Sequence, residues 1–221
     1  LDLIKQGRRE AADKYFSENA ARWHEIRGLH VPERDVEGAL LSLLPATGVE
    51  DLLDVGTGTG RILELFGERI SRGLGIDASR EMLAVARVNL EQAGQRHCQV
   101  RLGDMYQLAL AGQSQDAVIF QQVLHYAEEP ADAIAEAARV LRPGGTMLVV
   151  DFARHDLEYL REQHAHRRLG FTDEEVSGWL RRAGMRPDPV VTLPGDPLTV
   201  CIWRATRTDA PATRPRPLAA A

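Results

Sequence analysis

Leu52-Leu53-Asp54-Val55 runs directly into Gly56-Thr57-Gly58-Thr59-Gly60, and few folds accommodate that junction. A short apolar run followed by glycine at alternate positions reads as a buried strand, a tight turn and the opening of a helix. Glycine there frees the backbone to take positive φ and lets a ligand come close to the amides. A second apolar run, Gly73-Leu74-Gly75-Ile76, closes on Asp77. The first glycine and this acid are about 20 residues apart, the interval at which a carboxylate meets ribose hydroxyls in nucleotide-binding βαβ units.

Strand and helix patterns then alternate to the end of the domain. Ile62, Leu63 and Phe66 mark the inner face of the helix after Gly60. Ser79 is placed to cap a helix carrying Leu83, Ala86, Leu90 and Ala93 on one face, and Gly94 stands at its expected stop. Cys98–Leu102 and Asp116–Phe120 read as strands three and four, and Ile134, Ala137, Ala138 and Leu141 as a helix halted by Pro143-Gly144-Gly145. Thr146–Phe152 is a fifth strand. His155–Arg168 is expected to form a polar helix, Thr172–Glu175 to open an acid-rich one that ends at Gly184, and Val190–Leu193 with Leu198–Ala205 to form the closing strands. Such alternation specifies a parallel sheet covered by helices on both faces.

Ahead of the sheet, Ala12, Tyr15, Phe16, Asn19, Ala20 and Trp23 recur at helical intervals, and Val36, Ala39, Leu40, Leu43 and Leu44 form a second stripe between Pro32 and Pro45. The expected division is a helical extension over 1–44, the sheet domain over 45–206 and a disordered tail rich in Pro, Ala and Arg over 207–221. A length of 221 residues supports one well-buried α/β domain. A net charge of −5 argues against sequence-independent nucleic-acid contact by this chain, so the expected partner is a small molecule. No stretch reaches the roughly 20 apolar residues of a membrane span, and the first residues lack the apolar core of a signal peptide, which points to the cytoplasm. Cys98 and Cys201, far apart and outside any CxxC pair, fit a reduced protein.

Which nucleotide the turn holds depends on Asp54. A dinucleotide site offers amide donors and a helix N-terminus to a pyrophosphate, and an acid just ahead of the turn would oppose that anion. S-adenosylmethionine instead carries a sulfonium and an ammonium and no phosphate, so carboxylates at the ends of the first two strands match its charge. Asp54 serves that cation or only caps the turn; the spacing leaves both open.

The order Asp54-Val-Gly-Thr-Gly-Thr-Gly60, Gly75-Ile-Asp77-Ala-Ser79-x-x-Met82, Gly103-Asp104-Met105 and Leu141-Arg-Pro-Gly-Gly145 resembles class I S-adenosylmethionine-dependent methyltransferases. The similarity spans about residues 45 to 205 and is strongest to small-molecule enzymes related to quinone-biosynthesis C-methyltransferases. Arg8–Val31 and His155–Gly170 further resemble methyltransferase domains that follow an ArsR-type winged-helix regulator. The resemblance implies an α/β, Rossmann-like doubly wound sheet of seven mostly parallel strands, an antiparallel last strand and an N-terminal helical lid. It also implies a DNA-binding domain preceding Leu1, a start that suggests a piece of a longer chain, and a homodimer formed through that domain.

Residue by residue, the resemblance places Gly56, Thr57 and Gly58 under the methionine moiety, Asp77 with Ala78 at the ribose hydroxyls, and Met82 over the adenine face. Gly103, Asp104 and Met105 would hold the adenine amino edge, Gln121 and Leu124 the sulfonium, and Tyr15 the methionine carboxylate. Methyl transfer needs in-line alignment above all, and a base only where the acceptor must lose a proton. His125 and Tyr126, just past strand four, and His30 in the lid are the candidate bases; each is equally readable as a packing or orienting residue. No metal site is expected: His155 and His166 would share a helical face about three turns apart, where direct ligands normally lie one turn apart. The products are S-adenosylhomocysteine and a methylated small molecule. The alternative is a module that senses either nucleotide for an attached regulator with little or no turnover. Nicotinamide-dependent reduction is disfavoured by Asp54.

Overall fold

The computed structural model describes residues 15, 16, 18–20, 23 and 31–208. A helix, α1 (Glu33–Leu43), enters after Pro32 and carries Val36 and Leu40 into the core. The sheet follows: β1 (Asp51–Val55), α2 (Arg61–Phe66), β2 (Arg72–Asp77), α3 (Arg80–Gln92), β3 (Cys98–Leu102), β4 (Gln115–Gln121), α4 (Pro130–Val140) and β5 (Leu141–Phe152). A short α5 (Tyr159–Gln163), then α6 (Asp173–Arg182), β6 (Met185–Pro187), β7 (Val191–Leu193) and β8 (Val200–Arg207) complete it.

The strand order is β3-β2-β1-β4-β5-β8-β6, with β7 also on β8. The first five pair in parallel, and β8 runs antiparallel to β5. β6 pairs with the end of β8 and β7 with its start, so the two short strands share one edge position. The sheet is thus seven positions wide, mostly parallel, with antiparallel pairing at one end.

Alternation along each strand divides the core. Leu53, Val55, Val118, Phe120, Met147, Val149 and Trp203 pack with Ile134 and Ala137 of α4 and with Val176 and Leu180 of α6. Leu52, Ala117, Ile119, Leu148, Val150 and Ile202 pack on the other face with Leu40, Ile62, Leu63 and Phe66. Period-two side chains give a sheet two faces, and both are apolar because helices cover both. Each large side chain so buried contributes about 1.5–3 kcal/mol. Cys98 and Cys201 are free thiols in this core, each raised to about 11 by burial.

Three expectations about elements shift. The helix expected over 155–168 is confined to Tyr159–Gln163, and 164–170 turn back on the domain. β5 begins at Leu141, running through Pro143-Gly144-Gly145 with a register irregularity against β4. A strand at Met185–Pro187 was not anticipated. His30 and the tail beyond residue 208 lie outside the described residues.

Candidate active site

β1 pairs with β2 on one side and β4 on the other, and chain order reverses there. Loops leaving neighbouring strands on opposite faces open a crevice at such a point. A cavity of about 350 Å³ occupies it.

The glycine turn forms its floor. Gly56 and Thr57 donate their amides to the Ile76 carbonyl at 2.7 and 3.1 Å, which pins the turn to β2. Gly56 has φ +73°, and a Cβ there would lie 2.4 Å from Val123 Cγ2. Both the conformation and the space demand glycine. Gly75 serves a different end: a Cβ there would meet Thr57 Oγ1 at 2.6 Å, so its absence makes room for Thr57.

Thr57 donates its hydroxyl to Asp54 Oδ2 at 2.6 Å, and Asp54 is 1% exposed. Neither residue lines the cavity. Asp54 therefore sits beneath the turn, behind the cavity wall and not on it. Asp77 does line it. Its Oδ2 accepts from the Gly58 amide and its Oδ1 from the Ser79 amide, each at 2.8 Å. Burial raises the Asp77 pKa even against these amide donors, which pull the other way. Each oxygen retains acceptor capacity for a ligand hydroxyl.

The remaining wall comes from the next loops. Ala78 and Met82 follow Asp77, and Gly103, Asp104 and Met105 follow β3; all five line the cavity, as does Gln121 at the end of β4. Asp104 Oδ1 accepts from the Tyr106 amide at 2.9 Å. Leu124 is wholly buried and stays behind the wall.

The candidate bases are arranged otherwise. His125 is 2% exposed, with Nδ1 2.8 Å from Asp151 Oδ1 and its amide donating to Oδ2 at 3.2 Å. Its ring packs between Tyr126 and His166, at centroid distances of 4.0 and 4.1 Å. Tyr126, not His125, lines the cavity. Burial pushes the Tyr126 phenol well above its ordinary value, so near neutrality it is a hydrogen-bond donor. Tyr15 lies off the cavity, its hydroxyl hydrogen-bonded to His164 Nδ1 at 2.7 Å. Phe16 and Trp23, helical like Tyr15, do line it, with the Phe16 ring 4.8 Å from Tyr126.

Sequence reasoning did not single out Tyr106, Gln122, Val123, Ala127, Glu128 or Arg167, which also line it. The one local signal is at Gln122, whose positive φ of 50° marks the sharp exit from β4. Among the described residues no group of three or more His, Cys, Asp or Glu is arranged to hold a metal ion.

The cavity, with glycines that admit close backbone approach and carboxylates on its wall, fits an adenosyl compound bearing positive charge. Residues 53–149 match a family model described as a methyltransferase domain. The chain is 26% identical over 203 residues to a ubiquinone biosynthesis O-methyltransferase of Dechloromonas aromatica, covering 83% of this chain and 86% of that one. It is 38% identical over 119 residues to an uncharacterized 37.1 kDa transposon protein of Streptomyces fradiae, covering 52% of this chain and spanning only 34% of that relative. Among solved structures, a SAM-dependent methyltransferase from Aquifex aeolicus superposes with a TM-score of 0.66 at 23% identity, covering 83% of this chain and 97% of that one. Fold and matches agree on the class: residues 53–149 match a methyltransferase domain, the sheet is that of S-adenosylmethionine-dependent methyltransferases, and S-adenosylmethionine is the cofactor the crevice fits.

Proposed function

We propose that the protein transfers a methyl group from S-adenosylmethionine to a small-molecule acceptor, in the cytoplasm. The observation that carries this is the pair Asp77 and Asp104, carboxylates on the wall of one cavity beside a glycine turn. When bound, S-adenosylmethionine supplies an electrophilic methyl on a cationic sulfur. Asp77 would accept from the ribose hydroxyls, Met82 and Met105 would flank the adenine, Asp104 would take its amino group, and Gly56 and Gly58 would admit the methionine chain. Gln121 would line the sulfonium. Name and coverage of the Dechloromonas relative support a small-molecule acceptor.

The acceptor would lie against Tyr126, Phe16 and Trp23, whose apolar faces exclude water where a cation becomes neutral. Holding the acceptor in line is the chief source of acceleration, on the order of 7–11 kcal/mol. Tyr126 donates to the acceptor and so orients it. His125, fixed by Asp151, packs behind Tyr126 and holds that ring in place, a positioning role. His30 remains the candidate base from the extension.

Two measurements test the proposal. Titration calorimetry is expected to show S-adenosylhomocysteine binding, and incubation of S-adenosylmethionine with phenol, amine and thiol acceptors is expected to form S-adenosylhomocysteine above blank. Binding without turnover on any acceptor would favour a sensory module. No binding at all would remove the cofactor assignment from this cavity.

A further inference from the structure

We infer that the methyl acceptor carries a carboxylate, held by Arg167, as an anchor remote from the atom that is methylated. The inference rests on the proposed methyl-transfer reading and deepens it.

Three arginines stand in the loop after β5, two of which, Arg167 and Arg168, tie it to the segment after β4, and their donors are used differently. Arg161 donates to the Arg167 carbonyl. Arg168 donates to the carbonyls of Ala127 and Glu128, the latter at 2.7 Å. Both are structural pins. The Arg167 backbone is pinned too, its amide donating to the His125 carbonyl at 3.0 Å. Its guanidinium is not. The one side-chain contact of Arg167 among the described residues is with Glu128 Oε2 at 3.4 Å, although the side chain is only 17% exposed. A guanidinium has five N–H donors in a planar fork, and a single loose contact leaves most of them without an acceptor among the described residues. Leaving such donors unused in a largely buried place is costly unless a ligand takes them.

The place is the cavity itself. Arg167 is the one basic residue among its described lining residues. Sheet order sets its position: the loops after β2 and β3 bring Asp77 and Asp104 on one side of β1, and those after β4 and β5 bring Tyr126 and Arg167 on the other. The adenosyl half belongs to the acids, which leaves the guanidinium to the acceptor. Arg167 and Glu128 together are neutral, so a bound monoanion leaves one net negative charge beside them where a dianionic phosphate would leave two. Glu128 holds one edge of the fork and the free edge matches a carboxylate bidentately. Tyr126 and Phe16 supply an apolar wall for the rest of the acceptor.

The test uses the whole chain saturated with S-adenosylhomocysteine and calorimetric binding of three matched pairs: 4-hydroxybenzoate, indole-3-acetate and hexanoate, each against its methyl ester, with phenyl phosphate as a further arm. At least one acid is expected to bind tenfold or more tighter than its ester. Arg167→Gln is expected to erase that preference, and Arg167→Lys to keep part of it, with affinity for S-adenosylhomocysteine within twofold of the unaltered protein in both. Unchanged thermal unfolding confirms that the variants are folded, and the lysine variant carries the test should the glutamine one fail. Esters that bind as tightly as acids in every pair would overturn the inference, as would a preference that survives Arg167→Gln. Equal loss of S-adenosylhomocysteine binding in the variants would assign the guanidinium to the cofactor and overturn it too, and tighter binding of phenyl phosphate than of any carboxylate would overturn the choice of anion. Failure of the unaltered protein to bind S-adenosylhomocysteine is a different result: it removes the methyl-transfer proposal and this inference with it.

Discussion

At Gly56 the demands of backbone and space coincide. Gly56→Ala must hold alanine at φ +73° with its methyl inside Val123, and is expected to lose about 1–3 kcal/mol of stability, read from urea unfolding. Its affinity for S-adenosylhomocysteine should fall as well, because Val123 lines the same cavity. Asp77→Ala removes an acceptor from the ribose and should weaken S-adenosylmethionine binding by about 1–3 kcal/mol; unchanged calorimetric affinity in a folded variant refutes that placement. These residues were legible in the sequence because each stands within a few positions of a strand end, where chain direction alone puts it at the crevice. Asp54 was legible as an acid at the rim but not as a buried one, since its cover, Thr57, fits only because Gly75 has no side chain. Arg167 was not legible at all: it reaches the cavity through a carbonyl 42 residues earlier, at His125.

At the scale of elements, α6 is the helix most fully written into the chain. Thr172 caps it by accepting from the Glu175 amide, and the Glu175 carboxylate returns the bond to the Thr172 amide at 2.9 Å. Thr172→Ala should cost about 1 kcal/mol, measured as a lower urea midpoint with unchanged slope. The polar helix expected over 155–168 shows the opposite case. Its sequence is compatible with helix, but Arg167 and Arg168 must both give their amides to the His125 carbonyl, at 3.0 and 3.1 Å, and a continuing helix would use those amides itself. Tertiary contact outweighs a weak local preference. The same turn presents His164 to Tyr15. Burial lowers the His164 pKa from 6.5, so the docked ring beside the Tyr15 hydroxyl favours its neutral form. An undocked His164 takes up a proton more readily than the docked one, so the contact is at full strength above about pH 6.5 and is lost as pH falls through the lower docked value. Tryptophan fluorescence, reporting on Trp23 beside Tyr15, should shift on acidification from about pH 7.5 to 5, and the shift should shrink in His164→Gln.

Over the whole molecule, an ion network closes the end of the sheet away from the cavity. Asp51 on β1 accepts from Arg72 on β2 and Arg142 on β5, and Arg142 also meets Asp116 on β4 at 2.5 Å. The Arg72 contact, above all, holds the Asp51 carboxyl below its usual value. Burial would raise that of Asp116, but the Asp51 amide and Arg142 outweigh it. Both carboxylates thus stabilise the fold fully above their ordinary value near 3.8, and that contribution disappears as pH drops through the depressed values. Arg142→Met should cost on the order of 0.5–1 kcal/mol at neutral pH, since its partners are part-exposed, with the difference from the unaltered protein shrinking in urea titrations as pH falls through the depressed values. The doubly wound sheet, its parallel sense and the crevice at β1 and β4 were all determined by the sequence, because period-two strands and 3.6-residue helices in alternation admit one right-handed way of covering both faces. So was the cofactor class, which depends on charges a few bonds from those strand ends. Only the tertiary structure decided that His125 belongs to Asp151, that Tyr126 and not the histidine meets the cavity, and that Arg167 from a distant loop lines the same cavity. Local patterns fix where a backbone goes; which side chains meet across forty residues depends on how packed layers bring their loops together, and no spacing in the chain encodes that distance.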